Sequence, residues 1–165
     1  MNAAIPILAL LALAAAMPCA ARADVAILEA GAGVEFVDMG LDPATGAITL
    51  VGTEGGVASV FHVDAAVQTI ASAELVGLCL STQVFGISPE GMRIAGVSKS
   101  PRSVNIGEGT TWLNDAPDSP AGIGLPINGF QSSLALGAWS EGVVGSQKGS
   151  QDAVIWSALS ESPVS

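Results

Sequence analysis

The residue types of a hydrolytic site stand close together in the middle of the chain. The only histidine, His62, comes three residues after Ser59 and two before Asp64, and these types can act as base, nucleophile and orienting carboxylate. On an extended strand, however, His62 and Asp64 share one face while Ser59 points to the other. A nucleophile must approach its base to within about 2.6–3.2 Å. The segment alone therefore forms no triad, and a secreted hydrolase that uses His62 is the alternative function.

Two groups of oxygen ligands could in principle hold a cation. Asp38 and Asp42 flank a glycine turn, and Asn114, Asp115 and Asp118 lie in a proline-rich segment. Calcium takes such ligands, but neither group has the D-x-D-x-D-G spacing of a calcium loop. Asx-turns and solvated loop acids account for both groups. We therefore predict no metal, no cofactor and no catalytic residue.

Two further features resemble a cofactor site and a reactive thiol, but each lacks a residue that the function requires. Gly31 and Gly33 begin a dinucleotide-type pattern, but Phe36 stands where its third glycine belongs. Cys79 lies among leucines and valines with no cation nearby that would activate a thiol. The sequence therefore predicts that Cys79 is a small core residue.

The N-terminus has the pattern of a secretory signal. Ile5–Met17 is an apolar run of thirteen residues, too short to span a bilayer, which needs about 20. Ala21 and Ala23 place small residues where a signal peptidase reads them. We predict a signal peptide over residues 1–23, cleavage before Asp24, and a periplasmic or extracellular location.

The remaining residues, 24–165, have the composition of a single folded domain rich in strands. Half of the whole chain is hydrophobic and only 12% is charged, which argues against global disorder. Its 20 glycines and 9 prolines suit short strands joined by tight turns. Without Arg22, four basic and fifteen acidic residues leave a net charge of −11. This balance argues against binding to nucleic acid or to an anionic membrane surface.

One sequence pattern occurs three times along this domain. A turn glycine precedes an apolar run that ends in glycine, and a polar link leads to a second apolar run that ends in an aromatic residue. The three glycines lie 44 and 49 residues apart, a spacing typical of propellers and other repeat arrays. They are Gly52, Gly96 and Gly145, and the aromatic residues are Phe61, Trp112 and Trp156.

These repeats, with cores at about 42–64, 86–115 and 137–159, predict hairpins in an all-β fold. Intervening apolar runs allow four strands in each period, so we expect a partial or truncated β-propeller-like array, with a β-sandwich as the alternative. Residues 113–129 are predicted to be a surface loop, and residues 153–156 a strand covered on both faces. The open ends of such an array could support self-association.

The tryptophans allow two interpretations. Trp139, together with Trp112 and Trp156, could offer flat faces on which sugars stack. Their periodic placement favours a role as core wedges between sheets instead. We therefore predict that the ring at the repeated position builds a scaffold.

The repeat resembles that of the HAF-type extracellular repeat proteins of bacteria. Residues 86–96, GISPEGMRIAG, are similar to the first half of that unit, and residues 152–156, DAVIW, to its second half. Asp152 replaces the histidine of the family pattern. The resemblance implies a secreted β-repeat protein, for which we predict a non-enzymatic binding role or a structural role in the envelope or the extracellular matrix.

Overall fold

The chain folds into short antiparallel strands. The computed structural model describes residues 30–64, 66–101, 103–123, 132–147 and 153–157, which form eleven strands and no helix. The predicted signal peptide lies outside these ranges. The strands are β1 (Val34–Leu41), β2 (Ile48–Glu54), β3 (Val57–Asp64), β4 (Thr69–Glu74), β5 (Thr82–Ile87), β6 (Arg93–Ser100), β7 (Ser103–Leu113), β8 (Ala116–Gly122), β9 (Ser133–Trp139), β10 (Gly142–Gln147) and β11 (Ala153–Ser157).

The strands form three sheets in chain order. Sheet 1 contains β1 to β4, sheet 2 contains β5 to β8, and sheet 3 contains β9 to β11. Within each sheet, consecutive strands pair antiparallel with their neighbours. The all-β prediction is confirmed. The described strands make three sheets, not the two of a sandwich, and none of these sheets closes into a barrel.

The three sheets share one irregularity, which explains the repeated glycines. The first strand of each sheet has a bulge that skips one residue in the register: Val37, Phe85 and Leu136. The residue just before each bulge pairs with a repeat glycine of the second strand, in the pairs Phe36–Gly52, Val84–Gly96 and Ala135–Gly145.

A side chain at any of the three repeat glycines would collide with the backbone of the first strand. A Cβ built on Gly52 would overlap the carbonyl oxygen of Glu35, and the same holds for Gly96 with Gln83 and for Gly145 with Leu134. Glycine recurs here because a bulged partner strand passes too close for any other residue.

The aromatic residues also occupy one register position. Two residues before each repeat glycine, the second strand pairs with the ring-bearing residue of the third strand, in the pairs Leu50–Phe61, Ile94–Trp112 and Val143–Trp156. The rings are buried, with exposures of 2% for Phe61, 1% for Trp112 and 5% for Trp156. The alignment made on the sequence thus coincides with the pairing of the strands.

The sheets stack one behind the other through their first strands. Strand β5 lies against β1, β2 and β3, and strand β9 lies against β5, β6 and β7. Trp112 fills the space between sheets 1 and 2, and Trp156 fills the space between sheets 2 and 3. The first core contains Val51, Ala58, Val60, Leu75, Val84, Ile87, Ile94 and Trp112, and the second contains Ala95, Ile123, Ala135, Val143 and Trp156.

The chain leaves sheets 1 and 2 in the same way. After β4, the Leu75 N–H donates a hydrogen bond to the Ala58 carbonyl (2.8 Å), and after β8 the Ile123 N–H donates one to the Gly109 carbonyl (2.9 Å). Both Leu75 and Ile123 are buried. Each therefore anchors the link that leads to the next sheet.

Sheets 1 and 2 also meet backbone to backbone where the β1–β2 and β5–β6 turns lie. The predicted turn at Pro89 has Gly91 at φ 76°, with its N–H donating to the Ser88 carbonyl (2.8 Å). Leu41 N–H donates to the Pro89 carbonyl (2.7 Å), and a Cβ on Gly40 would collide with the backbone of Gly91. Gly40 thus allows a contact that a side chain would block, and Gly91 supplies the positive φ of the turn.

Two sequence predictions about strands are wrong. The predicted loop 113–129 contains edge strand β8, which tolerates Pro117 and Pro120 because both fall where its register with β7 is interrupted. The strand at 153–156 is covered on one face only: Trp156 is buried, whereas Ile155 is exposed. Within the described ranges, no sheet packs on the far side of sheet 3.

Asp42 should titrate below its ordinary pKa because it caps the first turn. Its carboxylate accepts hydrogen bonds from the Thr45 hydroxyl (2.5 Å) and the Ala44 N–H (2.8 Å), and these lower its pKa from 3.8. The folded pKa lies below the unfolded one, so the stabilisation is complete above the unfolded pKa and is lost as pH falls through the folded pKa.

An NMR titration of the Asp42 carboxyl checks this expectation. In Thr45→Ala the midpoint should rise towards 3.8, because the largest of the lowering interactions is removed. An unchanged midpoint in that variant would contradict the capping role of the hydroxyl.

Candidate functional site

The three residues of the hypothetical triad do not converge. Strand β3 pairs without a bulge, so Ser59 and His62 point to opposite faces, as predicted. Ser59 is buried and its hydroxyl donates to the Val57 carbonyl (3.1 Å). The Asp64 carboxylate accepts from the backbone N–H groups of Ala66 (2.9 Å) and Val67 (3.2 Å). Ser59 and Asp64 are thus engaged in local backbone bonds, whereas exposed His62 forms a hydrogen bond with neither of them.

The oxygen ligands singled out in the sequence lie in strands and turns. Asp38 links two sheets, because its carboxylate accepts from the Ile87 N–H of strand β5 (3.0 Å) and from its own neighbour Met39 (2.8 Å). Asp42 caps a turn, and Asp115 belongs to the turn between β7 and β8. The described residues contain no group of three or more His, Cys, Asp or Glu side chains that could hold a metal ion.

The prediction for Cys79 is wrong. Cys79 is exposed, as are Val76 and Leu80 on either side of it. The link between sheets 1 and 2 buries only one of its large apolar residues fully, Leu75, which anchors the start of the link. A short crossing segment has no strand period, so apolar composition did not indicate which residues point inward.

A groove of about 670 Å³ opens at the end of the array where the β2–β3 and β6–β7 hairpins lie. All three sheets contribute to it, which no sequence pattern indicated, since its residues come from five separate segments. It is lined by Thr53, Gly56, Ser81, Thr82, Gln83, Val84, Phe85, Val97, Ser98, Lys99, Gly107, Ser132 and Leu134.

The lining of this groove combines neutral polar side chains with apolar ones. Hydroxyl groups and the Gln83 amide can both donate and accept hydrogen bonds. Lys99 is the one charged residue among the described residues of the lining, in a chain with a net charge of −10. Phe85, the bulge residue of β5, adds a half-buried ring. Such a surface suits a ligand with hydroxyl, amide or carboxylate groups.

A second groove, of about 360 Å³, lies beside the link between sheets 1 and 2. Glu74 and exposed Cys79 belong to its lining, with Gly56, Ser81 and Thr82 shared with the larger groove. The lining includes no cationic residue among those described. The larger groove is therefore the better candidate for binding a polar ligand.

Burial separates Trp139 from the other two tryptophans. Trp112 and Trp156 are buried in the cores between sheets and so present no face to a ligand. Trp139, at the end of β9, is half-buried and lies against Gly142, whose Cβ would meet its ring at 2.6 Å. The core-wedge interpretation thus describes the position of Trp112 and Trp156.

Comparisons with known proteins add no identity to this geometry. No model of a known protein family matches the chain, and a search of curated proteins finds no significant match. In the described part of the chain, no helix is long and apolar enough to cross a membrane.

Proposed function

We propose that the protein is an exported, non-enzymatic β-repeat module that acts as a binding or structural component of the envelope or the extracellular space. The supporting observation is the shared register of Phe61, Trp112 and Trp156, whose rings are buried. The most regular feature of the sequence thus serves the scaffold. The resemblance to HAF-type repeats and the predicted signal peptide support the same proposal.

The larger groove is the part of this scaffold that we propose for ligand binding. Its hydroxyls, its amide and Lys99 would complement a polysaccharide that carries carboxylate groups. Lys99 would pair with a carboxylate of the ligand, and Gln83 would bond its hydroxyl or amide groups. Phe85 would contribute apolar contact with a sugar face.

Binding to polysaccharide should depend on Lys99. We expect the exported protein to bind acidic cell-surface polysaccharides in a sedimentation assay, and Lys99→Ala to weaken that binding about ten- to a hundredfold, since a hydrogen bond to a charged group contributes about 1.5–3 kcal/mol. Lys99→Arg, which keeps the charge, should retain most of it. Equal binding by the wild type and Lys99→Ala would contradict the role of the groove.

The same preparation tests export and the hydrolase alternative. Mass spectrometry of the secreted product should show Asp24 as its first residue. Turnover of ester, peptide or glycan substrates that disappears in His62→Ala would replace the non-enzymatic proposal with a secreted hydrolase.

A further inference from the structure

The two interfaces between sheets in this chain are copies of one interface. We call the face of a sheet that carries its repeated ring the wedge face, and the opposite face the receiving face. The wedge face of sheet 2, with Trp112, packs on the receiving face of sheet 1. The wedge face of sheet 3, with Trp156, packs on the receiving face of sheet 2. Each interface therefore joins the wedge face of one sheet to the receiving face of the sheet before it in the chain.

The last sheet has a receiving face that nothing described covers. Aligned on the repeat glycines, Val51, Ala95 and Val144 occupy one position of this face, and their exposures are 0%, 0% and 39%. At a second position, Val60 and Thr111 are 0% and 1% exposed, whereas Ile155 is 58% exposed. Ala153, which matches buried Ala58, is also exposed. The residues suit a core, and no sheet in the described part of the chain packs on them.

Sheet 1 has the complementary half of the interface, an open wedge face. Its wedge face carries Phe61, which is itself buried and packs edge-on against Phe36 with ring centroids 5.2 Å apart. Around this pair the face is open: Met39 is 54% exposed, although the matching Ile87 of sheet 2 is 5% exposed. Val57 is 43% exposed, although the matching Glu108 is 8% exposed.

We propose that a second copy of this chain covers both faces, with sheet 1 of one copy packing on sheet 3 of the other. The contact would repeat the interface already present twice within each chain. The contact is heterologous because the two faces differ. Two copies can therefore form it twice, with sheet 1 of each copy on sheet 3 of the other, and close a ring of six sheets. Six lies within the range of about four to eight sheets in which such rings close.

The chemistry of the two faces favours this occupant over an unrelated partner. Leu50, Phe36 and Met39 on the wedge face are apolar and include an aromatic ring, whereas Val144, Ile155 and Ala153 on the receiving face are all aliphatic. The same division holds at the internal interfaces, where a tryptophan meets valine and alanine side chains. None of these six residues is charged, so two acidic chains can meet without placing like charges in the contact.

The oligomeric state of the exported protein tests this proposal. Light scattering coupled to size-exclusion chromatography should give the mass of two chains. Ile155→Asp should reduce it to one chain because a carboxylate would be buried in the contact, and Met39→Asp should do the same from the other face. Both residues are more than half exposed, so circular dichroism should show an unchanged fold.

A mixture of the two variants distinguishes a head-to-tail contact from a symmetric one. Each variant alone lacks one half of the interface, but Ile155→Asp keeps a wedge face and Met39→Asp keeps a receiving face. The mixture should therefore recover a dimer through one contact. A variant with both substitutions should stay monomeric when it is mixed with either single variant. A wild type that has the mass of one chain at every concentration would overturn the proposal, as would dissociation by Ile155→Asp but not by Met39→Asp. Neither outcome bears on ligand binding, which a monomer could still show.

Discussion

Trp112→Ala should lower the free energy of unfolding by about 3–5 kcal/mol. The ring is 1% exposed in the core between sheets 1 and 2, and its truncation leaves a cavity that β-sheets on both sides cannot readily close. It also removes the hydrogen bond that the indole N–H donates to the Val76 carbonyl (2.7 Å). Trp156→Ala should have a loss in the same range, since its ring fills the equivalent space between sheets 2 and 3.

Chemical denaturation measures both losses, with Trp139→Ala as the matched control. Trp139 is half-buried at a strand end, so its loss should be clearly smaller. An unchanged denaturation midpoint in Trp112→Ala or Trp156→Ala would rule out the wedge role of that ring.

Replacement of the same rings by phenylalanine should separate packing from hydrogen bonding. Trp112→Phe loses a hydrogen bond, with an expected cost of about 0.5–1.5 kcal/mol beyond the smaller ring volume. The Trp156 indole nitrogen is buried without a partner in the described part of the chain, so Trp156→Phe removes an unsatisfied donor. We therefore expect Trp156→Phe to be the milder of the two, and the reverse order would contradict the assignment of these bonds.

Gly145→Ala should destabilise the fold by about 1–3 kcal/mol or more, as forced overpacking does. A Cβ at this position would overlap the Leu134 carbonyl oxygen, and the colliding atom is backbone, which cannot rotate away. Gly52→Ala and Gly96→Ala should behave alike because each faces the carbonyl of a bulged strand. At Gly96 the new methyl group would also press on the Trp112 ring, at 3.1 Å.

Gly31→Ala is the matched control for these three variants. No atom lies within 4 Å of a Cβ built on Gly31, and its φ is not in the left-handed region. Its denaturation midpoint should stay within experimental error of the wild type. If the repeat glycines tolerated alanine equally well, the close approach of the bulged strands would not be the reason that glycine recurs.

The unmatched faces of sheets 1 and 3 have a consequence for the aggregation of variants. A substitution that blocks one face leaves the other exposed, and exposed apolar sheet faces promote non-native association. Edge strand β8 of sheet 2 poses less risk, since it carries Pro117 and Pro120, which interrupt an added ladder.

The local features of this protein could be read from its sequence because they depend on short-range sterics. Proline and glycine at Pro89 and Gly91 specify a turn through their own backbone preferences, and the turn forms where expected. The spacing of Gly52, Gly96 and Gly145 relative to the rings was sufficient to align three hairpins. Each of these signals concerns residues that lie within one hairpin.

Only the tertiary structure decided which faces are covered and where a ligand could bind. Cys79 and Ile155 have apolar neighbours, yet both are exposed, because burial depends on whether another sheet lies above them. The groove at Lys99 and Gln83 joins segments that are far apart in the chain. Hairpin geometry follows from local backbone sterics, which the spacing of residues along the chain reflects. The stacking of sheets is set by long-range packing, which that spacing does not reflect.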